Sequence, residues 1–175
     1  MATEAVKSAQ ITNLDAVPVV RVTEGTGAPG FLRSVDGSAA FTSGPTAGST
    51  YQLVRLPTAA KVKSVKLWLD AAVTTFTGNV GIYYSTSSSD GTPKANQGTA
   101  VNATFFGSAV ALAAVIEPTE TSGQSGTYVG ALRMKQLWDA LGLSTDPGGF
   151  FDLVVTTTAT NSGAGVVNGQ VDFVL

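Results

Sequence analysis

The segment KVKSVKLWLDAAV, residues 61–73, places Val65, Leu67 and Leu69 at every second position, with Lys66, Trp68 and Asp70 in the gaps. An extended backbone sends successive side chains to opposite faces, so this spacing separates an apolar from a polar face only in a strand. A sheet with one apolar face needs a covering layer, and a chain that repeats the pattern stacks sheet on sheet or closes a sheet on itself.

The pattern does repeat. GNVGIYYS (78–85) alternates Val80, Ile82 and Tyr84; FFDLVVTTTAT (150–160) turns Phe151, Leu153 and Val155 inward; VVNGQVDFVL (166–175) does the same with Val171, Phe173 and Leu175. STYQLVRLP (49–57) reads as a strand ended by Pro57, which has no ladder donor. The stretches 49–57, 61–73 and 78–85 are expected to be antiparallel neighbours. ATFFGSAVALAAVIEP (103–118) holds two short strands broken near Gly107, although its alanines leave a helix open. Polar loops, TSSSDGTPKANQGTA (86–100, with the turn signal Asp90-Gly91) and TETSGQSGTYVG (119–130), separate these pieces.

One stretch keeps a helical period. Within 129–141, Met134, Leu137, Trp138 and Leu141 stand at i, i+3, i+4 and i+7, with Lys135 and Asp139 paired on the far side. Gly142 is placed as a left-handed C-terminal cap with Leu143 folding back, and TDPGG (145–149) makes the turn into the next strand. The expected role is structural: the helix plugs an open end between two sheets, and Trp138 supplies the bulk.

The beginning reads differently. ITNLDAVPVVRVTEGTGAPGFLRSVDGSAAFTSGPTAGST (11–50) has short apolar pieces divided by Gly, Pro, Ser and Thr, too little to offset its own ordering entropy. Residues 1–48 are therefore expected to be an extended N-terminal arm pinned on the domain or a neighbour, and residues 49–175 the β-sandwich domain. The fold class is all-β: a jelly-roll-like antiparallel β-sandwich of seven or eight strands, with one short helix and that arm.

Composition narrows the chemistry. The 175 residues contain neither Cys nor His, which removes disulfides, thiolate metal sites, Ser-His and Cys-His nucleophiles and the usual neutral-pH base. No catalytic, cofactor-binding or metal-binding residues are expected, and no cofactor. Charged residues make up 13% of the chain, while 15 Ser and 23 Thr keep it polar, a plain surface that fits burial in an assembly. A net charge of −2 with ten scattered Lys and Arg offers no basic stripe for nucleic acid or anionic membrane. No apolar run is long enough to span a bilayer, and MATEAVKSAQITNLDA lacks a signal-peptide pattern, so synthesis in the cytoplasm is expected.

Other motifs yield to bland readings. GTGAPG (Gly25, Gly27, Gly30) has dinucleotide-fingerprint spacing, but Pro29 and an extended FLRSVDG follow where a helix must begin. Glu117 with Glu120, or Asp139 with Asp146, could form a hydrolytic carboxylate pair, yet loops and caps commonly hold such acids. Trp68, Tyr83, Tyr84 and Trp138 could lay a sugar on a sandwich, with packing as the simpler role. Asn102-Ala103-Thr104 is a glycosylation sequon, idle without a secretory route. Lys61, Lys63 and Lys66 on one strand read as edge protection, while Arg21 and Arg33 in the arm could pair with acids on a neighbouring protein.

Taken together, ITNLDAVPVV near the start, YQLVRLPTAAKVKSVKLWLDAAVTTFTGNVGIYYS, FFGSAVALA and KQLWDALGLSTDPGGFFDLVVTTTATNSGAG resemble small β-rich proteins encoded among the head genes of tailed bacteriophages, the capsid decoration or cement proteins. The likeness spans nearly the whole chain and rests on overall pattern. It implies a non-enzymatic virion protein, made in the host cytoplasm, that sits outside the capsid shell. There it would clamp neighbouring major capsid subunits, often as a dimer or trimer, without nucleic acid or membrane as partner. Arg21, Phe31 and Arg33 are the expected capsid-contact residues. The rival expectation is a carbohydrate- or receptor-binding sandwich module of a phage tail or fibre.

Overall fold

In the computed structural model, which describes residues 3, 5–17, 32–42, 44–70, 76–87, 96–112, 118–124, 127–160 and 163–175, the alternating segments become strands of two stacked sheets. The described strands are β1 (Ala5–Lys7), β2 (Arg33–Phe41), β3 (Thr50–Pro57), β4 (Lys61–Leu69), β5 (Thr77–Tyr84), β6 (Ala100–Ala111), β7 (Thr119–Glu120), β8 (Phe150–Thr157) and β9 (Gly165–Val174). Two short helices join them, α1 (Ala9–Asp15) and α2 (Leu137–Ala140). One sheet has the order β1-β3-β8-β5-β6, the other β2-β9-β4-β7. Every pairing is antiparallel except β1 with β3.

From β2 onward every connection except β5 to β6 carries the chain from one sheet to the other, as a jelly-roll-like sandwich requires. The expected neighbourhood of 49–57, 61–73 and 78–85 is thus corrected. β4 lies in the opposite sheet, and β8 separates β3 from β5. A period of two fixes which side chains point inward but says nothing about the partner strand. The segment 103–111 is not two strands or a helix: it belongs to the single strand β6, whose register against β5 shifts repeatedly and whose Ala109 has φ 49°. Residues 119–120, expected in a loop, form the two-residue β7 against Lys66 and Leu67.

The alternation itself holds. Val65, Leu67, Leu69, Val80, Ile82, Phe151, Leu153, Val155, Val171 and Phe173 are all buried, whereas Leu175 lies past β9 and is exposed. Aromatic rings fill two regions of the core: Phe41, Tyr51 and Phe76 with centroids 5.1–6.1 Å apart, and Phe105, Phe106 and Tyr128 at 4.9–5.1 Å. Tyr128 donates its hydroxyl to the Val62 carbonyl at 2.6 Å, so its one polar atom is satisfied inside the apolar layer. Burial pushes that hydroxyl's pKa well above its usual value.

The helix expected over 129–141 is shorter and differently aimed. A 3₁₀ turn at Leu132–Met134 is followed by extended Lys135 and Gln136 before the single turn of α2. Leu137 and Ala140 face the core, while Met134 is exposed and Trp138 only half-buried, its indole N–H donating to Gln136 at 2.8 Å. The chain breaks the helical period because α2 docks by its end: the amides of Leu137 and Trp138 donate to the carbonyls of Ala60 and Thr58 in the β3–β4 turn, which satisfies donors that a helix start leaves open. Gly142 does adopt the left-handed cap, with φ 78°, and the Leu143 amide returns to the Trp138 carbonyl. Leu137→Ala will cost about 2–5 kcal/mol in denaturant unfolding, as for other buried leucines. Trp138→Ala will cost less, because part of its ring is already in water.

Residues 1–48 carry a strand for each sheet and a helix. β2 pairs with β9 along its length, from Arg33 opposite Phe173 to Phe41 opposite Gly165. The boundary expected at 48/49 falls in the connection from β2 to β3. Ser8 caps α1 by accepting from the Ile11 amide, donates its hydroxyl to the Leu53 carbonyl at 2.6 Å, and donates its amide to the Gln52 carbonyl. The Leu53 carbonyl is open to it because β3 shifts register against β8 between Gln52 and Val54. One serine thus starts the helix and ties it to a bulged strand.

Candidate functional site

Two strands carry an opposite charge inside an apolar run: Arg55 in QLVRLP and Asp152 in FFDLVV. They face each other across the β3–β8 ladder. Both are buried, and the contact is bidentate, Nε to Oδ1 at 2.7 Å and an Nη to Oδ2 at 3.0 Å. The remaining Nη of Arg55 reaches Asp15, at the end of α1, at 2.9 Å. Asp15 also accepts from Thr86 at 2.8 Å and from Lys7 of β1 at 2.7 Å. Five side chains from β1, α1, β3, β8 and the segment after β5 therefore close one polar network.

The electrostatics follow from that geometry. Burial alone would raise the Asp15 carboxyl, but hydrogen bonds from Lys7, Thr86 and Arg55 outweigh it and hold the group below the usual carboxylate range. Burial raises the Asp152 carboxyl, and the pull of Arg55 leaves it above its usual value. For Arg55, burial works against the charge, and the two carboxylates more than offset it. A planar guanidinium whose three nitrogens are held by two acids is a fastening, and it fixes the start of the chain to the sheet.

A depressed folded-state value means that Asp15 contributes stability above its unfolded pKa of about 3.9, and that this contribution fades as pH falls toward the folded-state value. Asp15→Asn will therefore melt below wild type at pH 6, and the gap will narrow below about pH 4. Thermal melts of both proteins across that range check the sign.

The outer face of the β2-β9-β4-β7 sheet is a second polar surface. Ser34, Asp172 and Ser64 lie in one row across it, Asp36, Gln170, Lys66 and Glu120 in the next, and Ser38, Asn168 and Trp68 in a third. Ser64 donates to Asp172 at 2.7 Å, Lys66 approaches Asp172 at 3.8 Å, and Asn168 donates to Asp70 at 2.6 Å. Burial would raise the Asp172 carboxyl, but bonds from Ser64 and Ser34 and the nearby Lys66 charge hold it below its usual value.

The residues singled out from sequence disperse over the molecule. Arg33 opens β2 opposite Phe173 and is half-buried; Arg21 and Phe31 lie outside the described residues, as do GTGAPG, Glu117 and Asp90-Gly91. Trp68 is on the outer face just described. Tyr83 belongs to the other sheet and bonds Thr156 at 2.8 Å, Tyr84 packs on Phe151 with centroids 5.7 Å apart, and Trp138 lies in α2. The four aromatics make no common platform. Asp139 pairs with Lys135 and Asp146 accepts from the Gly148 amide, while Glu120 accepts from the Val65 amide and from Ser122, so each acid holds its local backbone or neighbour. Lys63 donates to the Arg133 carbonyl at 2.8 Å, and β4 is flanked by β9 and, at Lys66 and Leu67, by β7. Among the described residues no cluster of three or more acids could hold a metal ion.

Fold and surface together define an all-β, jelly-roll-like sandwich with a fastened N-terminal segment. A chain in the solved capsid of Ralstonia phage GP4 shares this fold with a TM-score of 0.61 and 16% sequence identity, covering 96% of each chain. A chain in the capsid asymmetric unit of cyanophage Pam1 aligns with a TM-score of 0.49 and 21% identity, over 91% of this chain and 96% of its own. No protein-family model and no curated protein matches the sequence.

Proposed function

We propose that this chain is a structural, non-enzymatic protein of a phage virion that binds the outside of the capsid shell and stabilises contacts between major capsid subunits. The observation that carries the reading is the end-to-end likeness to a chain of a phage capsid, 96% of both molecules in one fold. It is joined by a sequence without Cys or His and by acids engaged in fastening roles. In this reading the N-terminal segment and a sandwich surface both meet the shell, with Arg21, Phe31 and Arg33 as contact residues and self-association as a dimer or trimer. Each bound copy adds a contact that exists only in the assembled state, so assembly is favoured by mass action and by many equivalent contacts acting together.

The test is a copy count with a stability readout on purified source particles. Quantitative mass spectrometry will find the chain in hundreds of copies on heads, and selectively stripping it will lower the shell's melting temperature. A few copies confined to tails would overturn the reading in favour of a fibre module.

A further inference from the structure

The ends of the sandwich are unlike. One end gathers the start of β2, the end of β3, the starts of β4 and β8, and the ends of β5 and β9, because Arg33 pairs with Phe173, Lys61 with Val174, Pro57 with Phe150 and Tyr84 with Phe151. The 3₁₀ turn and α2 sit there too, held by Lys63 and by the β3–β4 turn. Among the described residues the exposed large apolar side chains are Val17, Leu32, Val129, Met134, Phe150 and Leu175, and all six map to this end. Leu32 precedes β2, Leu175 follows β9, Phe150 opens β8, and Met134 lies 3.8 Å from Lys63. Val129 follows Tyr128, which is bonded to Val62, and Val17 follows Asp15, which is bonded to Arg55. Among the described residues, the opposite end carries hydroxyl contacts among Thr46, Ser49 and Thr157.

Charge is divided the same way. Arg33, Lys61, Lys63, Arg133 and Lys135 stand around the apolar end against Asp139, Asp146 and Asp172, the last between Ser34 and Ser64 one row in from the edge. Elsewhere, outside the Arg55 network, the described charges are Lys66 against Asp36, Asp70 and Glu120. Among the described residues, the exposed large apolar groups therefore lie beside the basic cluster of an acidic chain.

Resting on the proposed function, we infer that this end is the docking surface for the shell, and that its partner is a protein surface with an apolar centre rimmed by carboxylates. Clustered exposed apolar groups mark an interaction site, and a basic rim selects and steers an acidic counterpart. The carboxylates interleaved at Asp139 and Asp146 fit a patterned protein partner better than a uniformly anionic bilayer.

The experiment is cosedimentation with shells stripped of this protein, at several salt concentrations, beside vesicles of phosphatidylserine and phosphatidylcholine. Leu32 and Met134 are 63% and 69% exposed, so L32E/M134E will keep the wild-type melting temperature yet bind shells at least ~10-fold more weakly, the scale set by losing interface anchors. Lys61→Glu will weaken binding and flatten its salt dependence. Ala40→Glu, exposed near the opposite end, will bind like wild type. Full affinity in the double variant, with wild type bound, would overturn this surface and leave the shell-binding reading standing. Failure of wild type to bind at all would overturn both. Comparable or tighter binding of wild type to the anionic vesicles would overturn the choice of a protein partner.

Discussion

Gly37→Ala will lower the melting temperature by about 6–12 °C, the equivalent of roughly 3 kcal/mol in a chain of this size. Gly37 of β2 stands opposite Gly169 of β9, and Leu53 from the other sheet packs against both, its side chain over Gly169 and its backbone carbonyl over Gly37. A Cβ on Gly37 would strike the carbonyl of Leu53, which is backbone and cannot rotate away. The two sheets would have to part where β2 and β3 approach. Gly130→Ala is the matched control, since a Cβ there meets nothing within 4 Å. Thermal melts of the two variants will separate the effect of close approach from that of losing a glycine.

Asp152→Ala will destabilise the protein by about 3–5 kcal/mol, as breaking a buried ion pair commonly does when one partner stays behind. Arg55 would keep its burial and its contact with Asp15 but lose the bidentate acceptor. The double variant R55M/D152L will recover most of that loss, because apolar groups of similar size remove the uncompensated charge. It will also release the Asp15 end of α1 from the sheet. Denaturant unfolding gives the first effect, and faster amide exchange over residues 9–15 reports the second.

How much of this was legible varies with the kind of physics involved. Val65, Leu67 and Leu69 announced a buried face because burial and pleat share a period of two, and the sandwich class followed. The partner of that strand was not legible, since Lys61–Leu69 would alternate identically beside any neighbour; only the closed set of strands sends it to β9. The helix near Trp138 was half-read. Its cap at Gly142 is local chemistry and held, whereas its face was set by docking on Ala60 and Thr58, which a helical period cannot reveal. The fastening network was missed although its signal was present: Arg55 and Asp152 each interrupt an apolar strand, and opposite charges in buried strands need each other. Ser8, three residues before Ile11, was likewise an unread helix start.

The strand order has a bearing on how the molecule is made. β8 lies between β3 and β5, and β9 lies between β2 and β4, so both sheets are completed by the last strands of the order. As the polypeptide leaves the ribosome, β2, β3 and β4 emerge with open edges and wait for partners that follow far downstream, as Arg33 waits for Phe173 and Pro57 for Phe150. Such distant pairings slow folding. A nascent chain interrupted before residue 150 has neither central strand, and quality control receives an unfinished product in place of a weakened but usable one.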